Sequence, residues 1–391
     1  MRLYLTTLNP TDSVTGGFLP AAAALGWDVT ILTDQPDRYP GYDVVAADAR
    51  DPRAVIDAVA AHHRPDVIFS NSDHLQAATA LAAGYFGLPG KDWRACVTAK
   101  NKALTRRALA AVEPVGSVRI PPGADLPAPL IGDLPYPVVV KPAQGVASED
   151  VVLVDGREAL ADAVAAIRRR RPEEILIAEE FLEGPLRTLE TLGDGASRRV
   201  LGGFATTLGP LPHFVEERLD WRPPDADHLP HLTAALDAAG VGFGMCHTEY
   251  AVTRDGPRVI EINYRLIGDN CDFLLADLLG VPLHQWILRV HAGEPLSAFG
   301  LDALRAAYGS VVSLVAERSG TVTAAPPDLS LPPTDGGVRL WHRALREIGD
   351  HVEVTGTNRD YLGLLRAAGP DRASVDAAVD AFKKEHPWVL A

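Results

Sequence analysis

Lysine is scarce in this 391-residue sequence: there are six, so Arg supplies 31 of the 37 basic residues (37 − 6). Codon bias toward Arg and Ala explains most of that, but Lys91, Lys100, Lys102 and Lys141 still fall within one stretch of the chain. Basic charge is short overall, 37 Lys and Arg against 51 Asp and Glu, for a net −14. That balance excludes a nucleic-acid binder working by bulk electrostatics. Cysteine is nearly absent. Cys96, Cys246 and Cys271 are widely spaced, with no CxxC and no His-rich zinc spacing. They read as free thiols of a reducing compartment and exclude a disulfide framework. No run approaches the ~18 apolar residues that span a bilayer. MRLYLTTLNPTDS, broken by Asn9-Pro10 and Asp12, reads as a first strand and not as a signal peptide. The expectation is a soluble, cytoplasmic protein with neither a nucleic-acid nor a membrane partner.

A 47% hydrophobic fraction excludes wholesale disorder, and the length implies two to three domains. Residues 1–92 alternate strand and helix signals. Leu3–Leu8, Val29–Leu32 and Val67–Ser70 are strands. Asp51-Pro52 places an N-cap residue before Pro at a first helical position. Such alternation predicts parallel pairing with right-handed crossovers. The first strand lacks the GxGxxG that a dinucleotide-binding domain needs, since TTLNPTDSVTGG stands there. Thr98 is the expected cap of the helix AKNKALTRRALAAV, and the Pro-rich stretch at 121–129 is the expected linker. Strands PVVVK and DVVLV, a helix over 157–171 and strand EILIAEE follow. GMCHTEYAVTRDGPRVIEINYR then reads as a hairpin turning at Arg254-Asp255-Gly256.

Chemistry concentrates in that hairpin. Glu261 and Asn263 are two apart and share a strand face. An odd-length loop would set Glu249 directly opposite Glu261, where like charges destabilise a ladder. A hard divalent cation removes that conflict, and two carboxylates with an amide oxygen suit Mg²⁺. Alternatively, one glutamate faces solvent and the pair never meets. Lys141 ends a valine strand, either snorkelling to water or facing an anion. The loop after it, PAQGVASED, offers the backbone N–H groups of Gly145 and Ser148 to phosphates, yet no GK[ST] is present. Glu179, Glu180, Phe181 and Leu182 close an apolar strand, where backbone groups can read an adenine edge between Phe181 and Leu182.

In their order, these pieces resemble the ATP-grasp superfamily of carboxylate–amine ligases: a helical Lys, VVVKP with a small-residue loop, EEFLEG, HTEY, and IEIN followed by Arg. The resemblance covers roughly 98–270. It implies an α/β and α+β multidomain protein. A Rossmann-like α/β domain (1–92) would precede an ATP-grasp domain (93–305), with a nucleotide lid at 136–183 and a metal-binding part at 184–305. A C-terminal α+β subdomain (306–391) would follow. Lys102 and Lys141 would contact ATP phosphates under the 144–150 loop. Glu179, Glu180, Phe181 and Leu182 would line the nucleotide pocket, with Arg187 beside them. Glu249, Glu261 and Asn263 would bind Mg²⁺ (or Mn²⁺), and Arg265 would neutralise charge at the reacting carboxylate. Two departures stand out. The loop has fewer glycines than the family's and carries Glu149 and Asp150 toward a phosphate site. Leu186-Arg187 also replaces the family's ribose-binding acid.

Gly268 and Asp269, opening a helix, together with Asn71, Asp73 and His213, are the further candidates for holding substrate, with Ser72, His74 and Glu216 near them. The implied reaction is amide formation between a small carboxylate and an amine through an acyl phosphate, releasing ADP and phosphate. Rival readings are a bicarbonate-using carboxylase acting on biotin or a purine precursor, and a nucleotide-binding protein without turnover. A homodimer is the default expectation.

Overall fold

The computed structural model describes residues 1–123, 134–300, 308–333 and 337–391. Most of the expected Pro-rich linker, and the expected boundary at 305/306, lie outside the described residues.

Four parallel strands form the first sheet, in the order Asp43–Ala46, Asp28–Thr33, Arg2–Thr6, Val67–Phe69. Alternate residues feed two cores. Leu3, Leu5 and Ile31 enter the main cluster, while Tyr4, Leu32 and Ile68 pack against Val55, Val59, Ala82 and Ala83 of the helices Pro52–Ala60 and Gln76–Tyr85. Covering both faces is what makes these strands apolar throughout. The chain winds one way from Arg2–Thr6 and then adds Val67–Phe69 on its other side. The loops leaving these two strands therefore splay apart at a switch point, the usual ligand crevice of such sheets. Asp51 caps the helix Pro52–Ala60 as expected, accepting from the Arg53 N–H at 2.9 Å.

The predicted single helix after 98 is two. Trp93–Lys100 and Lys102–Leu109 are broken at Asn101, whose Oδ1 accepts from the Ala103 and Leu104 N–H groups. Asn101, not Thr98, is the cap. Thr98 lies inside the first helix, where its carbonyl accepts from the Thr105 hydroxyl.

A second sheet is antiparallel, in the order Ser117–Ile120, Leu176–Glu180, Val138–Pro142, Val152–Val154. Val138, Val140, Leu176 and Ala178 face the helix Arg157–Arg170 through Leu160, Val164 and Ile167. Alternation then turns Val139, Lys141 and Glu179 to the other face. The largest sheet has ten strands and runs through both the 184–305 and the post-306 parts of the chain. Its path runs from Gly256–Asn263 through Phe243–Thr253, Leu186–Asp194, Phe204–Leu208 and Glu216–Trp221. It continues to Tyr308–Val315, Tyr361–Gly369, Arg339–Ala344 and Leu329–Leu331, and Arg198–Gly202 pairs with Leu186–Asp194 off this path. Among the described residues no single helix is long and apolar enough to cross a membrane. Helices Cys271–Leu279 and Leu283–His291 reach that length together but are bent by 98° and sit in the main core.

Candidate active site

The hairpin Phe243–Thr253/Gly256–Asn263 sets Glu249 opposite Glu261, although not by an odd-length loop. Thr253 pairs with Gly256, which leaves a two-residue turn. From there an unbroken ladder would place Ile260 opposite Glu249. Instead the register shifts between Glu249 and Tyr250, and Ile260 is the extra residue of a β-bulge. The consequence shows in the packing: Val259 and Ile262 both enter the core, while the neighbours Ile260 and Glu261 both line a cleft. Around this pair the sheet places two rows of three on one face. Thr188, Glu249 and Glu261 form one row; Glu190, His247 and Asn263 form the next.

That cleft, of about 1010 Å³, lies between the antiparallel lid sheet and the ten-stranded sheet. Lys102, Lys141, Gly145, Ser148, Glu179, Glu180, Phe181, Leu182, Glu249 and Glu261 all line it. The Lys102 ammonium donates to Glu261 Oε1 at 2.8 Å and to the Gly145 carbonyl at 3.2 Å. Burial disfavours that charge, yet Glu261, with Glu249 behind it, outweighs burial and raises the Lys102 pKa. Lys141 pairs with Glu179, whose other oxygen accepts from Arg106 Nε at 2.7 Å. Burial alone would raise the Glu179 carboxyl, but Arg106 and Lys141 hold it at about 2. The Glu180 and Phe181 N–H groups bond the Gly116 and Pro137 carbonyls. The Leu182 N–H has no hydrogen-bond partner among the described residues.

The 144–150 loop departs from expectation. Its acids are taken up in ion pairs, although Glu149 still lines the cleft. Glu149 is paired with Arg171 at 2.6 Å and Arg359 at 2.8 Å, and Asp150 with Arg171 at 2.7 Å and with Arg170. Ser148 Oγ donates to the Phe214 carbonyl at 2.9 Å, and the Ala147 carbonyl accepts from the Asn358 N–H at 3.1 Å. Arginines from a helix end and from the C-terminal part of the chain thus hold both acids in ion pairs. Ala147, Ser148 and Asp150 meanwhile adopt left-handed backbone (φ 56–57°), conformations that would suit glycine.

A second cleft, of about 1240 Å³, opens at the switch point of the parallel sheet. Asn71, Asp73, Arg265, Gly268 and Asp269 line it, with Ser72, His74 and Asp12. Asn71 Oδ1 accepts from the Leu266 N–H at 3.0 Å and fixes the hairpin's exit to the first domain. Burial acts against the charge on Asp73, but Arg265 and its partner Lys100 lower its pKa. Asp269 and Asn270 both hold positive φ (53° and 64°), strain of the kind that gathers at functional sites. Since Glu261 borders the first cleft and Arg265 the second, one strand end serves both.

Two predicted residues are not brought in. Arg187 follows cleft-lining Leu186 on a strand and so points to the opposite face, near Arg222 and Tyr250. His213 is exposed and lines neither cleft, its ring lying against Gly356. Arg106 and His247 went unpredicted in role, and Glu216 was expected only near substrate. Arg106 bridges Glu179 and Glu113. Glu216 lines the first cleft, and burial, then Glu249 and Asp269, push its carboxyl up to about 8. His247 contacts Glu190 at 2.7 Å and Glu249 at 3.5 Å. Burial opposes the charge on His247, but the Glu190 carboxylate carries its pKa to about 10. The signal for His247 was present, because it stands two residues before Glu249 and shares its face.

The hairpin's oxygens fit a hard cation. Asn263 Nδ2 donates to Glu249 Oε1 at 3.1 Å, which leaves the Asn263 Oδ1 and the Glu249 Oε2 without partners among the described residues. Lys102 occupies only Oε1 of Glu261. Three oxygens, two of them anionic, are thus presented together, a donor set suited to Mg²⁺ or Mn²⁺.

A lid sheet closing on a large antiparallel sheet, behind a parallel α/β domain, is the ATP-grasp fold. The structure matches, over the whole chain, that of an L-amino acid ligase from Bacillus licheniformis, with a TM-score of 0.81 at 20% identity and 98% of that chain covered. It also matches phosphoribosylglycinamide synthetase from Anaerococcus prevotii over the whole chain, with a TM-score of 0.74 at 15% identity and 99% of that chain covered. In sequence the chain is 27% identical, over its whole length and 84% of the relative's, to the uncharacterized protein y4rH of Sinorhizobium fredii. It is 24% identical over 75% of its length to phosphoribosylamine–glycine ligase of Phenylobacterium zucineum, of which it spans 65%. A shorter stretch, 29% of the chain and 36% of the relative, is 35% identical to D-alanine–D-alanine ligase of Methylibium petroleiphilum. No family model matches the chain.

Proposed function

We propose that this chain is an ATP- and Mg²⁺-dependent ligase that joins a small carboxylate, an amino acid or a natural-product precursor, to an amine through an acyl phosphate, releasing ADP and phosphate. The observation that carries this reading is the strand end shared by two clefts, one bordered by the carboxylate pair and lysines, the other by Arg265. The names of the similar proteins, carbon–nitrogen ligases among them, support the same class.

Lys102 and Lys141 hold the nucleotide phosphates, exchanging their carboxylate partners for phosphate oxygens. Gly145 and Ser148 cover them in the closed loop, while Phe181, Leu182 and Leu186 wall the base and the Leu182 N–H reads its edge. Glu249, Glu261 and Asn263 hold Mg²⁺, which when bound offsets negative charge on the transferring phosphoryl group. Arg265 pairs with the substrate carboxylate and orients one oxygen toward the phosphoryl group; Gly268 and Asp269 complete that pocket. The amine then attacks the acyl carbon and phosphate leaves. A cytoplasmic, homodimeric enzyme belongs to the same proposal.

The test is to incubate the protein with ATP, Mg²⁺ and pooled amino acids or organic acids, following ADP and phosphate. Carboxylate-dependent ADP formation supports the ligase. AMP with pyrophosphate would overturn the acyl-phosphate route, bicarbonate dependence with biotin would move the assignment to a carboxylase, and ATP binding without any product would leave a non-catalytic protein.

A further inference from the structure

Glu190 is the least expected acid in the molecule. It is wholly buried in the middle of Leu186–Asp194, and no Lys or Arg among the described residues contacts it. Its Oε1 accepts from the Thr188 hydroxyl at 2.9 Å and lies 2.7 Å from His247 Nδ1, while its Oε2 has no hydrogen-bond partner among the described residues. Left alone, such a carboxylate would be costly to desolvate, so His247 is what it is there to meet. The ladder makes the meeting unavoidable, because His247 pairs in register with Glu190 on one side and Asn263 on the other. The second ring nitrogen, Nε2, reaches Glu249 Oε1 at 3.5 Å.

We propose that His247, anchored by Glu190, is a positioning residue for the metal-holding carboxylate of Glu249. The ring and the Asn263 amide both engage Oε1, at 3.5 and 3.1 Å, and none of the described residues engages Oε2. The carboxylate is therefore held by one oxygen and offers the other. A flexible glutamate on a strand would lose rotamer freedom on coordinating a cation, and here that ordering is already in place. Outer partners of metal-holding carboxylates typically change metal affinity by about 10–100-fold when removed. Glu190 and His247 make no contact with the nucleotide lysines, so the effect is confined to the metal.

This inference rests on the metal assignment above, and its test separates the two. Mn²⁺ is titrated into the protein with saturating ADP and free Mn²⁺ is read by electron paramagnetic resonance; metal-free ADP binding is measured by calorimetry. Wild type that binds ADP but no Mn²⁺ would overturn the metal assignment, and this inference with it. Given wild-type Mn²⁺ binding, His247→Leu and Glu190→Gln are expected to weaken it about tenfold or more and about threefold, respectively, with metal-free ADP binding within twofold of wild type. His247→Gln, whose amide nitrogen can stand where Nε2 does, is expected to recover most of the loss. Unchanged Mn²⁺ affinity in Glu190→Gln and His247→Gln together with either unchanged affinity or misfolding of His247→Leu would overturn the proposal. An equal loss of metal-free ADP binding would do so too, since it would mean the two residues merely support the sheet.

Discussion

Glu249 and Glu261 face each other across the hairpin because a two-residue turn is followed by one unpaired residue, Ile260. Two carboxylates in register repel unless something positive lies between or beside them. Lys102 and His247 supply that charge to the protein alone, one on each glutamate. Glu261→Gln removes one anionic oxygen yet keeps an acceptor for Lys102. It is expected to lower ADP formation at saturating Mg²⁺ by about 100-fold or more, while the circular dichroism spectrum and cooperative melting persist. Full activity in a folded Glu261→Gln protein would remove Glu261 from the metal site.

Arg106 and Lys141 both contact Glu179, but they serve different ends. Arg106 is buried between Glu179 and Glu113, while Lys141 lines the cleft. Among the described residues Arg106 alone reaches both buried acids; without it Glu179 keeps only Lys141 and Glu113 only His231, so Arg106→Met is expected to cost about 3 kcal/mol in urea unfolding. Lys141→Met leaves Glu179 with Arg106 and is expected to lose only about 1–2 kcal/mol. In exchange, it should raise the KM for ATP tenfold or more. If Lys141→Met bound ATP normally, the phosphate role would belong elsewhere.

Glu179 also links stability to pH. Its folded pKa of about 2 lies below the ordinary 4.5, so protons bind the unfolded chain more readily. The resulting stability is fully present above about pH 4.5 and is lost as pH falls through 2. The shift of 4.5 − 2 units corresponds to about 3 kcal/mol. Glu179→Gln is expected to flatten the unfolding free energy between pH 5 and about 2.5, relative to wild type, by most of that amount. Parallel pH profiles of the two proteins would show that Glu179 is not the linked group.

What was readable in the sequence was whatever a strand or helix settles locally. Asp51-Pro52 caps its helix, the valine run is a strand, and Glu261 and Asn263 share a face because they are two apart. The same period would have excluded Arg187, which was expected in the nucleotide pocket but follows Leu186 and so turns from the cleft. What was not readable depends on chain brought from afar. Glu190 gains its meaning only when its strand lies beside His247, 57 residues on. The loop acids seemed aimed at phosphate because their partners, Arg171 and Arg359, belong to a helix end and to the C-terminal part of the chain. A bulge gives the same facing pair as an odd turn would, so the pairing was foreseen and its cause was not.

The loop's ties decide how it should behave. Glu149 joins it at once to Arg171 at the end of the helix Arg157–Arg170 and to Arg359 just before the strand Tyr361–Gly369, and Ala147 and Ser148 add bonds to Asn358 and Phe214. Glycines would have allowed this shape without strain, whereas three residues here hold left-handed backbone at roughly 1–2 kcal/mol each. Such a loop stays closed only while its tethers offset that strain. Burial opposes the charge on Glu149, but Arg359 and Arg171 keep its carboxyl below the usual range, so it remains an anion at neutral pH. Because the pairs are partly exposed, each contributes about 1 kcal/mol or less to global stability. Glu149→Ala is therefore expected to leave the melting temperature within about 2 °C of wild type while letting the loop open. Limited proteolysis within 144–151 should accelerate several-fold, and the KM for ATP should rise by a similar factor with kcat less affected. Adding Ala147→Gly to Glu149→Ala removes strain from the closed form and is expected to restore part of the protection. Unchanged proteolysis in Glu149→Ala would show that Ser148 and Ala147 hold the loop without the arginines.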